Sequence, residues 1–270
     1  MERRRFLVLL AAGLAGAAVG RGTAGLVDPA RAPVGTAAAA EPGPAPRPAV
    51  PPAPAGVVDR LPGENSSLAL TIDDGTSSAV VGSLCRFAED TGVRLTFFPN
   101  GRYSSWEDNA DRLQPLVDSG QVAMGNHTWS HLDLTTLSDG EVADEVGRNR
   151  DWIERTFGVT TPFLRPPFGA HDERVDRISA ELGHPTIVMW NGTLEDNRLL
   201  TPDELVAAAR RWFTPQAVVV GHANRPTVTT VYDRLVELIA ERGLRTVTLA
   251  DAWGPGLAGV RTASGTASAG

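Results

Sequence analysis

Short apolar runs alternate with amphipathic stretches between residues 64 and 253 of the chain. The runs are brief and nearly continuous, which is typical of strands that are buried on both faces of a sheet. Seven segments have this character: Ser67–Ile72, Val93–Phe98, Gln121–Gly125, Phe163–Arg165, Thr186–Trp190, Ala217–Val220 and Leu244–Leu249. Strands that alternate with helices predict an α/β fold with a parallel sheet. We expect a single domain built as a small, incomplete barrel, with an open doubly wound sheet as the alternative.

Helix signals lie between these strands. The segment Ser138–Glu141 is a capping box, and it predicts a helix that runs to about residue 156. The segment Thr201–Glu204 provides an N-cap, a proline at the first helical position and an acidic residue in the first turn. A third helix is expected over residues 230–242, where Gly243 ends it.

The two ends of the chain differ in composition from this core. Residues 1–32 begin with Arg3-Arg-Arg-Phe-Leu7, which fits a twin-arginine export signal. The apolar stretch that follows has about 15 residues, whereas a membrane span needs roughly 20. Residues 33–63 predict a Pro/Ala-rich linker, residues 64–253 the folded domain, and residues 254–270 a disordered tail. We therefore expect an exported protein, extracellular or bound to the cell wall, with an uncleaved N-terminal anchor as the alternative.

Charge and cysteine content narrow the class of partner. The formal net charge is −7, which argues against a nucleic-acid partner because that would require a basic face. The single cysteine, Cys85, excludes an intrachain disulfide and a cysteine-rich zinc site, and its helical apolar surroundings predict a buried packing role. We expect a monomer with no stable membrane span in its mature form.

Polar side chains follow six of the seven predicted strands. Asp73 and Asp74 come directly after the first strand. The later strand ends carry Asn100, His127, Arg165, Asn191 and His222. Because the carboxyl ends of parallel strands form the active site in α/β folds, this clustering predicts an enzyme.

The segment His127-Thr-Trp-Ser-His131 places two imidazoles four residues apart. If it forms a helix, both rings lie on one face and can share an ion. Two histidines and one carboxylate from Asp73–Asp74 leave coordination positions open, as in catalytic metal sites. Adjacent carboxylates also require a nearby cation. The alternative is a turn in which one aspartate caps the helix after Ser77.

Together these residues resemble the motifs of the polysaccharide deacetylase family (carbohydrate esterase family 4, the NodB homology domain). The resemblance covers about residues 66–250. Four motifs match in order: Thr71-Ile-Asp-Asp-Gly75, His127-Thr-Trp-Ser-His131, Arg165-Pro-Pro-Phe-Gly169 and Val220-Gly-His222. In the family's fourth motif, Asp, Asp and Trp are frequent. Here Asp196 matches the second Asp, whereas Thr193 and Asn197 stand in place of the first Asp and the Trp. The resemblance implies a distorted (β/α)7 barrel, and the departure predicts an altered wall of the substrate groove.

The resemblance also implies roles for the metal-side residues. Asp74, His127 and His131 would hold a divalent ion, most simply Zn²⁺, with Co²⁺ or another ion as alternatives. Asp73 would be the general base that takes a proton from water, and Arg165 would keep it ionised and aimed.

The remaining roles concern the leaving group and the substrate. His222 would protonate the departing amine, with Asp196 orienting it. The backbone N–H of Phe168 would meet the oxyanion. Trp129 would either stack on a sugar or pack in the core. Asn224 and Arg225, just after His222, are interpreted as a polar loop, with contact to the substrate as the alternative.

The implied reaction is removal of N-acetyl groups from an acetylated polysaccharide that contains N-acetylglucosamine, such as peptidoglycan or a chitin-like polymer, with release of acetate. One alternative is an O-acetyl esterase on xylan-like glycans. Another is a catalytically inactive glycan-binding protein on the same scaffold. The presence of Asp73, Arg165 and His222 together argues against the inactive protein, since binding alone requires no base, base partner or acid.

Overall fold

The computed structural model of the chain describes residues 50–254, and a parallel sheet forms its centre. Nine strands lie in these residues: β1 (Gly56–Val58), β2 (Ser67–Asp74), β3 (Leu95–Pro99), β4 (Val122–Met124), β5 (Phe163–Leu164), β6 (Thr186–Val188), β7 (Gly192–Thr193), β8 (Val218–His222) and β9 (Arg245–Thr246). One sheet has the order β4-β3-β2-β8-β7, with β9 also beside β2, and a second has the order β1-β6-β5. All of these pairings are parallel. A bridge between Asn126 and Leu164 joins the two sheets into an incomplete barrel.

Helices connect and cover the strands. Within residues 50–254 they are α1 (Ser78–Thr91), α2 (Ser105–Asp108), α3 (Ala110–Asp118), α4 (Asp139–Phe157), α5 (Glu173–Glu181), α6 (Pro202–Trp212), α7 (Tyr232–Glu241) and α8 (Leu249–Ala252). The capping boxes predicted for α4 and α6 are both formed. Cys85 is fully buried on α1, as expected. None of the helices in the described part of the chain combines the length and apolarity needed to cross a bilayer.

The side chains of β2 alternate between two packed layers. Leu68, Leu70 and Ile72 belong to the large apolar cluster that includes residues of the surrounding helices. Ala69 belongs to a smaller cluster of residues from several strands. Because successive strand side chains point to opposite faces, Asp73 lies on the same side as Ala69, in the barrel interior. The two-sided burial of β2 therefore directs Asp73 into the barrel.

The structure confirms an α/β fold with an incomplete barrel, and all seven predicted strands are present. Two further strands, β1 and β7, have only three and two residues, so their own sequence patterns carry little signal. β1 falls in the segment interpreted as a linker, yet it pairs with β6, and Leu61 just after it is buried. The expected export signal and all of the expected tail except Gly254 lie outside the described residues.

Candidate metal centre and active site

Asp74, His127 and His131 bring three metal-ligating side chains together at the carboxyl edge of the barrel. Their ligand atoms all lie within 4.8 Å of one another. Asp74 Oδ1 lies 3.3 Å from Nε2 of each histidine. This oxygen is buried and accepts no well-formed hydrogen bond from the described residues. A buried carboxylate oxygen that faces two imidazole nitrogens without a donor matches the ligand set of a divalent cation, so the residues fit such an ion.

The charges around the triad also favour a cation. Burial alone would raise the pKa of Asp74, but contact with His127 and the charges of His127, His131 and His222 hold it well below its usual range. Burial works against a charge on His127, yet Asp73 and then Asp74 raise its pKa. Burial and the charge on His127 lower the pKa of His131. The two carboxylates thus stabilise one positive charge between the rings, which a metal ion would supply in place of a proton.

A backbone carbonyl fixes the ring of His127. Its Nδ1 lies 2.7 Å from the carbonyl oxygen of Arg165. Because a carbonyl can only accept, Nδ1 carries the proton and Nε2 remains free to bind a metal. The side chain of Asn100, at the end of β3, donates to the carbonyls of His127 and Thr128. The first histidine is therefore held by groups that follow β3 and β5.

Residues 127–131 form a loop, so the two rings are brought together without the helix that was one way of placing them on one face. Thr128 and His131 have φ values of 68° and 62°, a left-handed conformation that residues other than glycine rarely adopt. Buried Glu145 on α4 supports this loop, because its carboxylate accepts hydrogen bonds from the N–H and hydroxyl of Ser130. The left-handed residues turn the chain back, and the two ring centroids lie 5.0 Å apart.

Arg165 forms a buried ion pair with Asp73 beside the metal ligands. Its Nη1 lies 2.8 Å from Asp73 Oδ1 and donates also to the hydroxyl of Thr71. Nε and Nη2 donate to the carbonyls of Val188 and Met189. Arg165 is fully buried, so these contacts compensate the cost of removing its charge from water. The sequence analysis missed Thr71, although its position two residues before Asp73 places it on the same face of β2.

The two adjacent aspartates face different partners because the chain changes direction between them. Asp74 has a φ of 72°, which ends the extended conformation of β2. Asp73 Oδ2 lies 3.8 Å from Nε2 of His127, close to the metal-facing atoms but outside the triad. The alternative in which an aspartate caps α1 is wrong, since the hydroxyl of Ser77 itself caps the helix.

His222 and Asp196 form the opposite side of the site. His222 Nδ1 lies 2.7 Å from Asp196 Oδ1, and the His222 backbone N–H donates to Asp196 Oδ2 at 3.0 Å. Burial opposes a charge on the ring, but the hydrogen bond to Asp196 and the charges of Asp73, Asp196 and Asp74 raise the pKa of His222 to about 9. These contacts favour the protonated ring, whose Nε2 is not engaged by Asp196.

Phe168 and Trp129 differ in what they present to the site. Phe168 has a φ of 59° and is 70% exposed, and its ring packs edge-on against His131 with centroids 4.6 Å apart. Its backbone N–H has no partner among residues 50–254.

Trp129 is half-buried against the large apolar cluster, and the guanidinium of Arg148 lies 4.6 Å from its ring centroid. These contacts fit core packing for Trp129 and leave sugar stacking without support.

Comparison with known proteins agrees with this site. The model of the polysaccharide deacetylase family matches residues 60–187, a range that contains the Asp-Asp, His-x-x-x-His and Arg-x-Pro motifs. Over this range the chain is similar to the polysaccharide deacetylase family. It is 28% identical over 190 residues to the peptidoglycan-N-acetylglucosamine deacetylase PgdA of Listeria monocytogenes. That match covers 70% of this chain and 39% of PgdA, so the chain spans well under half of the length of this relative.

Two solved structures share the fold at lower identity. One is the chitin deacetylase of the fungal pathogen Colletotrichum lindemuthianum, with a TM-score of 0.67, 22% identity, and coverage of 76% of this chain and 94% of that one. The other is BA3943 of Bacillus anthracis, a pseudoenzyme of carbohydrate esterase family 4, with a TM-score of 0.65, 22% identity, and coverage of 74% and 69%. Because this fold occurs in a deacetylase and in a pseudoenzyme, the side chains of the site must decide the function.

Proposed function

We propose that this protein is a metal-dependent hydrolase that removes N-acetyl groups from a glycan containing N-acetylglucosamine and releases acetate. The observation that carries the proposal is the buried Asp74 Oδ1, which faces two imidazole nitrogens and has no hydrogen-bond donor. Two ion pairs lie beside this oxygen. Asp73, the proposed general base, pairs with Arg165, and His222, the proposed general acid, pairs with Asp196. The similarity to the family and to PgdA supports an acetylated glycan as the substrate class.

The residues around the proposed metal ion would activate a water molecule for attack on the acetyl group. A divalent ion held by Asp74, His127 and His131 would supply Lewis-acid polarisation of the acetyl carbonyl and of the water, and one carboxylate with two imidazoles suits zinc. Asp73 would take the proton of that water through Oδ2, the oxygen that is not paired with Arg165. Arg165 keeps Asp73 ionised and fixes its direction.

The opposite side would complete the cleavage. The water oxygen forms a bond to the acetyl carbon, and the N–H of Phe168, which has no other partner in the described part of the chain, donates to the oxyanion. The carbon–nitrogen bond then breaks while His222 gives its Nε2 proton to the leaving amine. Asp196 holds His222 in the protonated form until this step. The products are acetate and a free amino sugar.

Export belongs to the same proposal. The twin-arginine-like residues 1–32 predict passage across a membrane, and peptidoglycan lies outside the cytoplasm. We propose an extracellular or wall-associated monomer, held by the linker or by an uncleaved N-terminus. Two other functions remain as competing outcomes of the experiment below, namely an O-acetyl esterase and an inactive glycan-binding protein.

The decisive experiment measures acetate release from peptidoglycan, chitin oligomers and acetylxylan, with and without a chelator. We expect release from the N-acetylated polymers, loss with chelator, and recovery when Zn²⁺ is returned. Asp74→Ala should abolish release, whereas the control Asp90→Ala, at an exposed position on α1, should not. Release that survives chelation would contradict a metal mechanism. A protein that binds these glycans and Zn²⁺ without releasing acetate would instead be the inactive binder.

A further inference from the structure

We propose that Asn224 is a positioning residue for the metal ligand Asp74: it holds one carboxylate oxygen so that the other is left for the ion. The inference rests on the proposed metal site, and its test measures metal binding itself rather than catalysis. Asn224 lies in the loop after β8, which its sequence marked only as polar. The amide of Asn224 is uncharged and does not titrate, so the effect we propose for it is one of geometry.

The two oxygens of Asp74 have different surroundings. Oδ2 accepts a hydrogen bond of 2.6 Å from Asn224 Nδ2. Oδ1 lies 3.3 Å from both histidine Nε2 atoms and has no donor in the described structure. A free carboxylate could turn about its terminal bond or offer both oxygens to an ion. The Asn224 contact removes this freedom and directs Oδ1 at the histidines.

The orientation of the Asn224 amide is determined by its other partners. Its Oδ1 accepts from the backbone N–H of Thr76 at 3.0 Å and from the Thr76 hydroxyl at 2.9 Å. A backbone N–H can only donate, so the amide oxygen must face Thr76. The amide nitrogen therefore faces Asp74, and the Asn224 side chain is fully engaged between the two residues.

The backbone also holds Asn224 in place before any ion binds. The N–H of Ala223 donates to the carbonyl of Asp73, and the N–H of Ser77 donates to the carbonyl of Ala223. Through Ala223, the loop after β8 is thereby bonded to Asp73 and Ser77, which flank the segment contacted by Asn224 in the turn between β2 and α1. A side chain on such a preorganised loop orders the ligand at little additional entropic cost. The same loop follows directly from His222, so it connects the acid to the metal ligand.

Asp74 needs this support because its own backbone leaves the strand. Its φ of 72° is followed by Gly75 at 97°, so strand pairing no longer directs its side chain. The Asp74 carbonyl is held by the indole N–H of Trp106 and the N–H of Asn100. Those contacts fix the position of the main chain, and Asn224 fixes the carboxylate.

The test compares the Zn²⁺ affinity of the full chain and its variants, by competition with a chromogenic chelator after the metal has been removed. Asn224→Ala should weaken the affinity by about 10- to 100-fold, the usual effect of losing a group that orients a ligand. Thr76→Val removes one of the two bonds that orient Asn224 and should cause a smaller loss. The matched control is Arg225→Ala, an exposed neighbour whose described contact is a 3.5 Å bond to the carbonyl of Asn197, and it should bind like wild type.

A second readout separates positioning from a general structural effect. When the protein is loaded with Co²⁺, the visible absorption reports the number of ligands, because a freed Asp74 can offer both oxygens and a higher coordination number weakens the bands. We expect weaker bands for Asn224→Ala and unchanged bands for Arg225→Ala. Thr76→Val provides the comparison if Asn224→Ala does not fold. Affinity within twofold of wild type and an unchanged spectrum in the folded variants would overturn the inference. Wild-type protein that binds no metal would overturn the proposed function instead.

Discussion

The two sides of the site are built differently. The buried side consists of Asp73 and Arg165, whose side chains are 4% and 0% exposed, and Arg165 contacts groups of β2 and of the end of β6. The loop side consists of His222 and Asp196, where the His222 side chain is 20% exposed and the two residues depend mainly on each other. The family motifs match on the buried side and at His222, and the departures at Thr193 and Asn197 fall on the loop side.

Under the proposed mechanism, this difference would separate the chemistry from substrate choice. The proposed base and its partner would have to keep one charge state and one direction, and a buried, hydrogen-bonded pair achieves this because water cannot screen or compete with it. Asp196 lies in the loop between β7 and α6, next to Glu195 at a φ of 58°, where residues can change with less effect on the barrel core. We therefore expect substitutions on the buried side to affect the reaction and the fold, and substitutions on the loop side to affect rate, pH dependence and preference.

The largest effect is expected for Asp73→Asn. The amide keeps the size of the side chain but cannot take a proton, so acetate release should fall by about a thousandfold or more. The metal content should stay at the wild-type level, because Asp73 lies outside the triad. Both quantities are measured on the same preparation. Activity near the wild-type rate would show that Asp73 is not the base.

Arg165→Met should be nearly as damaging, but its effect is on the fold. The substitution leaves the buried carboxylate of Asp73 without its partner, which costs about 3–5 kcal/mol of the free energy of unfolding. Urea denaturation measures the loss. Asp196→Asn serves as the comparison and should lose about 1 kcal/mol, since an amide can still accept from His222. Equal losses in the two variants would remove the distinction between the two sides.

Asp196→Asn should lower the rate on an N-acetyl substrate by about 10- to 100-fold and shift its pH profile. The pKa of His222 is raised to about 9, so the acid form is present below that pH and is lost as the pH rises through it. The charge of a bound ion lowers the pKa of His222 in the wild type and in the variant alike. Removing the charge of Asp196 lowers the pKa of His222 further, so the alkaline limb of the pH profile should move to lower pH. An activated aryl acetate should lose less rate, because its leaving group needs little protonation; equal losses on both substrates would contradict the acid role.

The smallest effect is expected for Asn197→Trp, which restores the residue that is frequent in the family's fourth motif. Asn197 is exposed, so an indole there should leave the free energy of unfolding nearly unchanged. The ratio of rates on chitin oligomers and peptidoglycan should change by about tenfold or less, while the rate on a small aryl acetate stays constant. Unchanged ratios across the glycans would mean that this stretch does not contact substrate.

Much of the fold and site could be predicted from local patterns. The seven predicted strands lie in apolar runs that fit burial on both faces, and their carboxyl ends mark Asp73, His127, Arg165 and His222 without any reference to contacts. β1 and β7 could not be found in this way, because no such run contains them and their pairing is decided by β6 and β8. The conformation of the loop at 127–131 could not be read from its own residues, because Glu145, 14 residues beyond its last histidine, supports its left-handed turns.

By itself, the sequence determined the class of fold, the ligand types and the edge of the sheet where they meet, because hydrophobic period and strand-end position are local properties. Only the tertiary structure decided how those groups divide their work. The direction of Asp73 and Asp74 depends on a left-handed residue, and the selection of one Asp74 oxygen depends on Asn224, 150 residues away along the chain. Hydrogen bonds between such distant residues exist only after the barrel has closed, and no local pattern records them.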